Sequence, residues 1–140
     1  MLSEDGEVAR LHHLATSGEG SATPEIAHAA LGLGRALERA GRYWPALLLI
    51  EDAVTLFQEL DSAGSGLFQY GLAAALAARS RCLRAAGRPQ EALASSAEAL
   101  AIQERLAVGD PADNPELLRD TRRLINESLA QPRDEGKAQS

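Results

Sequence analysis

Few residues in this sequence have both the type and the spacing that chemistry requires. His12 and His13 are neighbours, so on a helix they point to different sides, and with His28 they make no ligand spacing such as H-E-x-x-H. Structural or surface roles are expected for all three, with no metal and no other cofactor. Cys82, the one cysteine, falls mid-helix without a His or Asp in triad-like company, so a buried, inert thiol is expected. Gly32-Leu33-Gly34 lacks the third glycine and the preceding strand of a dinucleotide fingerprint. No segment supplies the clustered polar residues of a small helical enzyme or metal carrier, so no catalytic residue is assigned and no enzymatic activity is expected. The abundant functional group is guanidinium. There are 13 arginines against one lysine, Lys137. A coding bias accounts for such a ratio; a planar fork that grips carboxylates is the functional alternative.

The bulk properties bound what those arginines can serve. The net charge is −6 with an isoelectric point near 5.0. That argues against a nucleic-acid binder, which needs a basic face to neutralise phosphates. Hydrophobic residues make up 45% of the 140, enough for one domain with a core. The β-branched aliphatics are only Val8, Ile26, Ile50, Val54, Ile102, Val108 and Ile125, too few for a sheet protein, whereas Ala and Leu abound. A lone cysteine allows no internal disulfide and fits a reducing compartment. The acidic, apolar-poor start does not read as a signal peptide, and Arg79 and Arg81 interrupt the alanine-rich run before it reaches membrane-spanning length. A cytoplasmic location away from membranes is expected.

The elements that position the arginines follow from an internal repeat. Ala40-Gly41-Arg42-Tyr43-Trp44-Pro45-Ala46-Leu47 matches Ala86-Gly87-Arg88-Pro89-Gln90-Glu91-Ala92-Leu93 at an offset of 46 residues. The same offset aligns Glu51–Val54 with Ala97–Leu100, Leu37 with Leu83 and Leu129, and Leu14 with Leu60 and Leu106. About two and a half copies of one unit are present, beginning with a second half and ending with a first half. Each unit reads as two helices. Pro24 opens a helix with apolar residues at Ile26, Ala27, Ala30, Leu33 and Leu37, stopped at Gly41. A second helix starts near Tyr43 and carries Ala46, Leu49, Ile50, Ala53, Phe57 and Leu60 on one stripe. The next copy predicts helices over 68–85 and from Pro89 to about Ala107. A last helix is expected over 116–129 and a short first one over 7–15. Residues 1–22 are read as a short helix with linker, 23–130 as the repeat domain, and 131–140 as a disordered polar tail.

These residues resemble the tetratricopeptide repeat family. Its pattern places a small residue seven positions before the inter-helix glycine, an aromatic soon after it, and alanines five and twelve positions after it. Here those are Gly34, Gly41, Tyr43, Ala46 and Ala53, then Ser80, Gly87, Ala92 and Ala99 with Pro89 in place of the aromatic. The period of 46 exceeds the usual figure of about 34, like the extended repeats of actinobacterial proteins. Arg79 departs from the apolar residues, Leu33 and Ile125, at its equivalent positions. The resemblance implies an all-α stack of antiparallel hairpins forming a short right-handed superhelix. Its first helices would line a concave groove. Register puts His28, Leu31, Arg35 and Glu38 on that face from the first copy. Ala74, Ala77, Arg81 and Arg84 follow from the second, and Asp120, Arg123 and Glu127 from the third.

Arg35 and Arg81 occupy equivalent places. They form either an arginine ladder for the carboxylates of an acidic partner or part of a solvated face, with Arg81, Arg84, Arg123 and Glu127 pairing among themselves. Trp44 is an interface candidate, since tryptophan is enriched among binding anchors. The expected function is protein–protein interaction, as a scaffold docking a peptide or helix in the groove or by self-association, with a homodimer as one form. The alternative is a regulatory repeat domain of a larger signalling ATPase or transcription regulator. The incomplete first and last units favour covered ends, because a repeat cannot bury its core face alone.

Overall fold

The computed structural model of the chain describes residues 3–18, 22–62, 66–109 and 115–130. These form six helices: α1 (Glu4–Thr16), α2 (Pro24–Arg39), α3 (Tyr43–Leu60), α4 (Gln69–Ala85), α5 (Pro89–Gly109) and α6 (Pro115–Ala130). Among the described residues there is no strand. The tail over 131–140, most of the linker before α2, and the centres of the two loops flanking the α4–α5 pair lie outside them. The protein is all-helical, as the apolar spacing predicts. Helix α1 begins at Glu4, three residues before the start that the apolar spacing predicts. Ser3 accepts a hydrogen bond from the Gly6 amide at 3.1 Å, and Glu4, Asp5 and Glu7 fill a first turn where the helix dipole favours acids.

The 46-residue offset recurs in the backbone. Gly41 and Gly87 adopt φ of +80° and +81°, the left-handed region that side-chain-bearing residues avoid. The Arg42 amide donates to the Leu37 carbonyl at 2.9 Å, and the Arg88 amide to Leu83 at 2.8 Å. Gly41 donates to Glu38 at 3.0 Å, and Gly87 to Arg84 at 3.1 Å. Both turns therefore close the same way and return the chain along the helix it has just left. Two hairpins result, α2–α3 and α4–α5. Next-neighbour packing then runs α3 on α4 and α5 on α6. The α4 helix also touches α2 and α6, whereas α3 and α5 make no contact with each other.

Small residues set the spacing within the hairpins. Gly34 of α2 lies so close to α3 that a Cβ there would come within 2.7 Å of Ile50 Cγ1 and 3.3 Å of the Ala46 carbonyl. The same three positions in the second hairpin are Ser80, Ala92 and Ser96. There the Ser80 hydroxyl donates to the Ala92 carbonyl at 2.9 Å and bonds the Ser96 hydroxyl. Ser80, Ser95 and Ser96 are fully buried, and Arg79 reaches Ser95 Oγ and the Glu51 carboxylate. Arg79 thus faces a serine at the position of Leu49. The off-register arginine and the three serines are one polar seam, internally satisfied, where the first hairpin is apolar.

Phe57 is the largest fully buried side chain. A Cβ on Gly71 of α4 would fall 2.5–2.9 Å from three of its ring atoms. The first turn of α4 therefore rests on that ring. At the equivalent position in the second copy stands Gln103, 5% exposed, its amide without a hydrogen-bond partner among the described residues. At the α6 end, Leu129 is 65% exposed where Leu37 and Leu83 are fully buried. Arg122 and Asn126 are exposed where Ala30, Leu76, Gly34 and Ser80 are buried. Half of that face has become polar.

Gly71→Ala is expected to lower stability by about 1–3 kcal/mol, because a buried ring must yield to the new methyl. Gly32→Ala, exposed with nothing within 4 Å, is expected to raise it by about 1 kcal/mol through helix propensity. Urea unfolding of both variants checks the contrast. Gln103→Leu removes an unsatisfied buried amide and is expected to stabilise by roughly 1–3 kcal/mol in the same assay; a loss of stability would show that the amide is satisfied in solution.

Candidate functional site

The exposed face shared by α2, α4 and α6 collects most of the residues picked by register. Arg81, Arg84, Ala85, Arg123, Leu124 and Glu127 line an open cleft of about 430 Å³ between α4 and α6. Arg81 and Arg84 lie one turn apart near the end of α4, and Arg123 and Glu127 one turn apart on α6, which turns all four toward a common space. Among the described residues that line it, three are arginines and one is a glutamate, and Arg81 is also paired with Glu38.

The arginines are tied across helices. Arg81 Nε donates to Glu38 Oε1 at 2.9 Å, fastening α4 to α2, and Glu38 is only 16% exposed. Arg84 Nη1 donates to Glu127 Oε2 at 2.8 Å, fastening α4 to α6. Arg123 approaches the other Glu127 oxygen at 4.0 Å along its own helix. The hydrogen bond from Arg84 holds the Glu127 carboxyl below its ordinary value, with the charges of Arg84 and Arg123 adding to it. Glu127 therefore stays ionised, shared between two arginines. This pairing matches the solvated-face reading for Arg84, Arg123 and Glu127. For Arg81 the partner is Glu38 of the neighbouring unit.

The other sequence-picked residues separate. Arg35 is exposed on α2 and makes no ion pair among the described residues. His28 is exposed, with its ring edge-on to Phe57 at 5.1 Å and 73°. Leu31 is 6% exposed and belongs to the core, and Ala77 is likewise buried. Trp44 is 66% exposed on the far side of α3 from the cleft. The side chain of Asp120 lies outside the described residues. Cys82 is fully buried, and burial pushes its thiol up to about 12, with Glu38 adding to the rise and Arg81 opposing it. The thiol is protonated at neutral pH and is a poor nucleophile.

Two further arrangements were not legible in the periodicity. His12 Nδ1 meets Asp52 Oδ2 at 2.7 Å, and Arg42 holds both Glu4 and Asp5, so α1 is pinned alongside α3. Register could have hinted at the first, since Gln58 and Glu98 are the equivalents of His12 and Asp52. Those two line an open groove of about 260 Å³ between α3 and α5, with Glu51, Val54, Thr55, Leu76 and Arg79. The same junction is thus closed in one copy and open in the next, where Arg79 stands between the helices. Among the described residues no three His, Cys, Asp or Glu side chains converge as a metal site, and no helix is long and apolar enough to cross a membrane. Comparison with protein-family models, curated sequences and solved structures gave no match.

Burial raises the Asp52 carboxyl above its ordinary value, outweighing the contact with His12. A raised folded value contributes stability below pH about 3.8 that disappears as pH rises through that value, so ionised Asp52 opposes folding at pH 7. Asp52→Asn, whose amide oxygen still accepts from His12, is expected to be at least as stable as wild type at pH 7. The gap closes as pH falls below about 4. His12→Ala removes the donor and is expected to cost about 1–3 kcal/mol. Thermal unfolding across pH checks the ranking, and the reverse order would mean that ion pairing dominates.

Proposed function

We propose that this chain is a tetratricopeptide-like repeat module that works by binding, with the α2/α4/α6 face as the docking surface for an acidic peptide or helix of another protein. The observation that carries the reading is the cleft in which Arg81, Arg84 and Arg123 outnumber Glu127. The cross-helix pairs hold the Arg81 and Arg84 guanidiniums in position, so little of their side-chain entropy is lost when a carboxylate arrives. Both keep donors beyond those used in these pairs, and a fork of five N–H groups can serve two carboxylates.

The array geometry supports the same face. Successive first helices touch, α2 on α4 and α4 on α6; of the second helices α1 touches α3, while α3 and α5 stand apart. Between the last two units the array is therefore closer on the side of α4 and α6, which favours that side as the concave one there. Arg35, in register with Arg81, adds a guanidinium to the layer of first helices, and the third position of the same register is Glu127. The small number of first helices limits the surface to a short segment, and the cleft's open form suits a peptide better than an enclosed small molecule.

The test uses a fluorescently labelled peptide of alternating glutamate and leucine, followed by anisotropy. Binding is expected to be saturable and to weaken as salt rises through about 0.15 M, where exposed charges are screened beyond roughly 8 Å. Arg35→Glu with Arg84→Glu is expected to weaken it by about tenfold or more. The double variant must retain its helical circular dichroism. Equal affinity of a folded double variant would overturn the reading.

A further inference from the structure

Two exposed surfaces remain outside the cleft, and the repeat register shows that the fold does not require either. On α3, Trp44 is 66% and Leu48 39% exposed, with Tyr43 beside them at 37%. Their equivalents in α5 are Gln90, Ala94 and Pro89, and both Gln90 and Ala94 are also exposed. The unit therefore has an outward stripe here, and only the first copy makes it aromatic and apolar. Trp44, Leu48, Glu51 and Thr55 follow one another at four-, three- and four-residue steps, a single face of the helix. That face points away from α2, since the residues packing on α2 begin about 200° further round, at Ala46.

The second surface is the uncovered side of α6. Leu129 is 65% exposed at a position fully buried in the other two copies, with Ile125 one turn before it. Arg122 extends the same face and Arg119 lies beside it, both exposed. The two surfaces complement each other. The α3 stripe is apolar at one end and carries Glu51 on its next turn, with Glu98 across the groove and Asp5, 79% exposed in its side chain, beside Arg42. The α6 face is apolar at one end and basic at the other. Glu51 and Arg122, with side chains 49% and 57% exposed, meet Arg79 and Glu104 within the chain at 3.5 Å and 3.3 Å.

We infer that the α6 face of one copy docks on the Trp44–Leu48–Glu51 stripe of a second copy, giving a head-to-tail assembly that leaves the α4–α6 cleft open. Leu129 and Ile125 meet Trp44 and Leu48, and Arg122 and Arg119 meet Glu51 and Glu98. The two faces lie on different helices, so the contact is heterologous. Each copy keeps one face unused, and association continues into a ring or a chain. The cleft takes no part, so this assembly stands or falls apart from acidic-peptide binding.

The test exploits that asymmetry. Trp44 is the only tryptophan, so its emission reports directly on the stripe. Sedimentation velocity of wild type is expected to show a mass that rises with concentration, with a parallel blue shift of the emission. Trp44→Gln with Leu48→Ala copies the residues of the second unit, which keeps the fold. It is expected to weaken self-association by about tenfold or more. Leu129→Gln is expected to do the same. Mixing the two variants restores one intact interface, and a 1:1 dimer that grows no further is expected. Wild type that stays monomeric up to about 1 mM would overturn the inference. So would folded variants that assemble like wild type, or a mixture that stays monomeric while wild type associates.

Discussion

Everything in this fold depends on two helices being able to lie almost backbone to backbone. In the first hairpin the approach is so close that Gly34 leaves no room for a methyl beneath Ile50 and the Ala46 carbonyl. In the second it is close enough for the Ser80 hydroxyl to reach the Ala92 carbonyl. Alanines buried in α2, α3, α4 and α5 continue the same spacing along the hairpins. Because small side chains bring little area each, dispersion between closely apposed backbones and the few large side chains between them supply the packing. Phe57 is the clearest case: one ring holds α3, the first turn of α4 and the edge of His28 together.

The two hairpins meet that constraint with different chemistry. The first is apolar throughout, with Leu33, Gly34, Leu49 and Ile50 at the seam. The second carries Arg79, Ser80, Ser95 and Ser96 at the same four places. The Ser80 hydroxyl donates to the Ala92 carbonyl and bonds Ser96. Arg79 donates to Ser95 and lies against the Glu51 carboxylate, so the four polar residues all have partners. The substitution has a cost elsewhere in the array. With an arginine standing where a leucine stood, α3 and α5 do not close on each other as α1 and α3 do, and a polar groove opens between them.

Charge is distributed by face. The chain is acidic in total, yet the residues lining the α4–α6 cleft include three arginines and one glutamate, and Arg35 lies in register with Arg81. The outward side of α3 carries acids around an aromatic and apolar centre. A net charge of −6 therefore describes solubility better than it describes either surface. Ion pairs such as Arg81–Glu38 and Arg84–Glu127 link successive units from outside the core. Their contribution is less one of strength than of position, since they fix where the guanidiniums point.

The helices, the turns and the repeat were legible in the sequence because each is a local or periodic property. Gly41 and Gly87 announce turns that only a left-handed residue closes, Pro24 and Pro89 announce starts, and the apolar spacing gives the stripes. The grouping of Arg81, Arg84, Arg123 and Glu127 on one face also followed from register, since a repeat places equivalent residues equivalently. What register could not give is which neighbour each side chain meets. Leu31 was assigned to the groove and lies in the core, as does Ala77 at the same place in the next unit, because periodicity says which residues share a face but not how far neighbouring helices cover it. The pairing of Arg81 with Glu38, of His12 with Asp52 and of Arg79 with Ser95 spans 43, 40 and 16 residues. Such contacts depend on the distance and tilt between helices, which differ from one unit to the next, and those are decided only when the whole array packs.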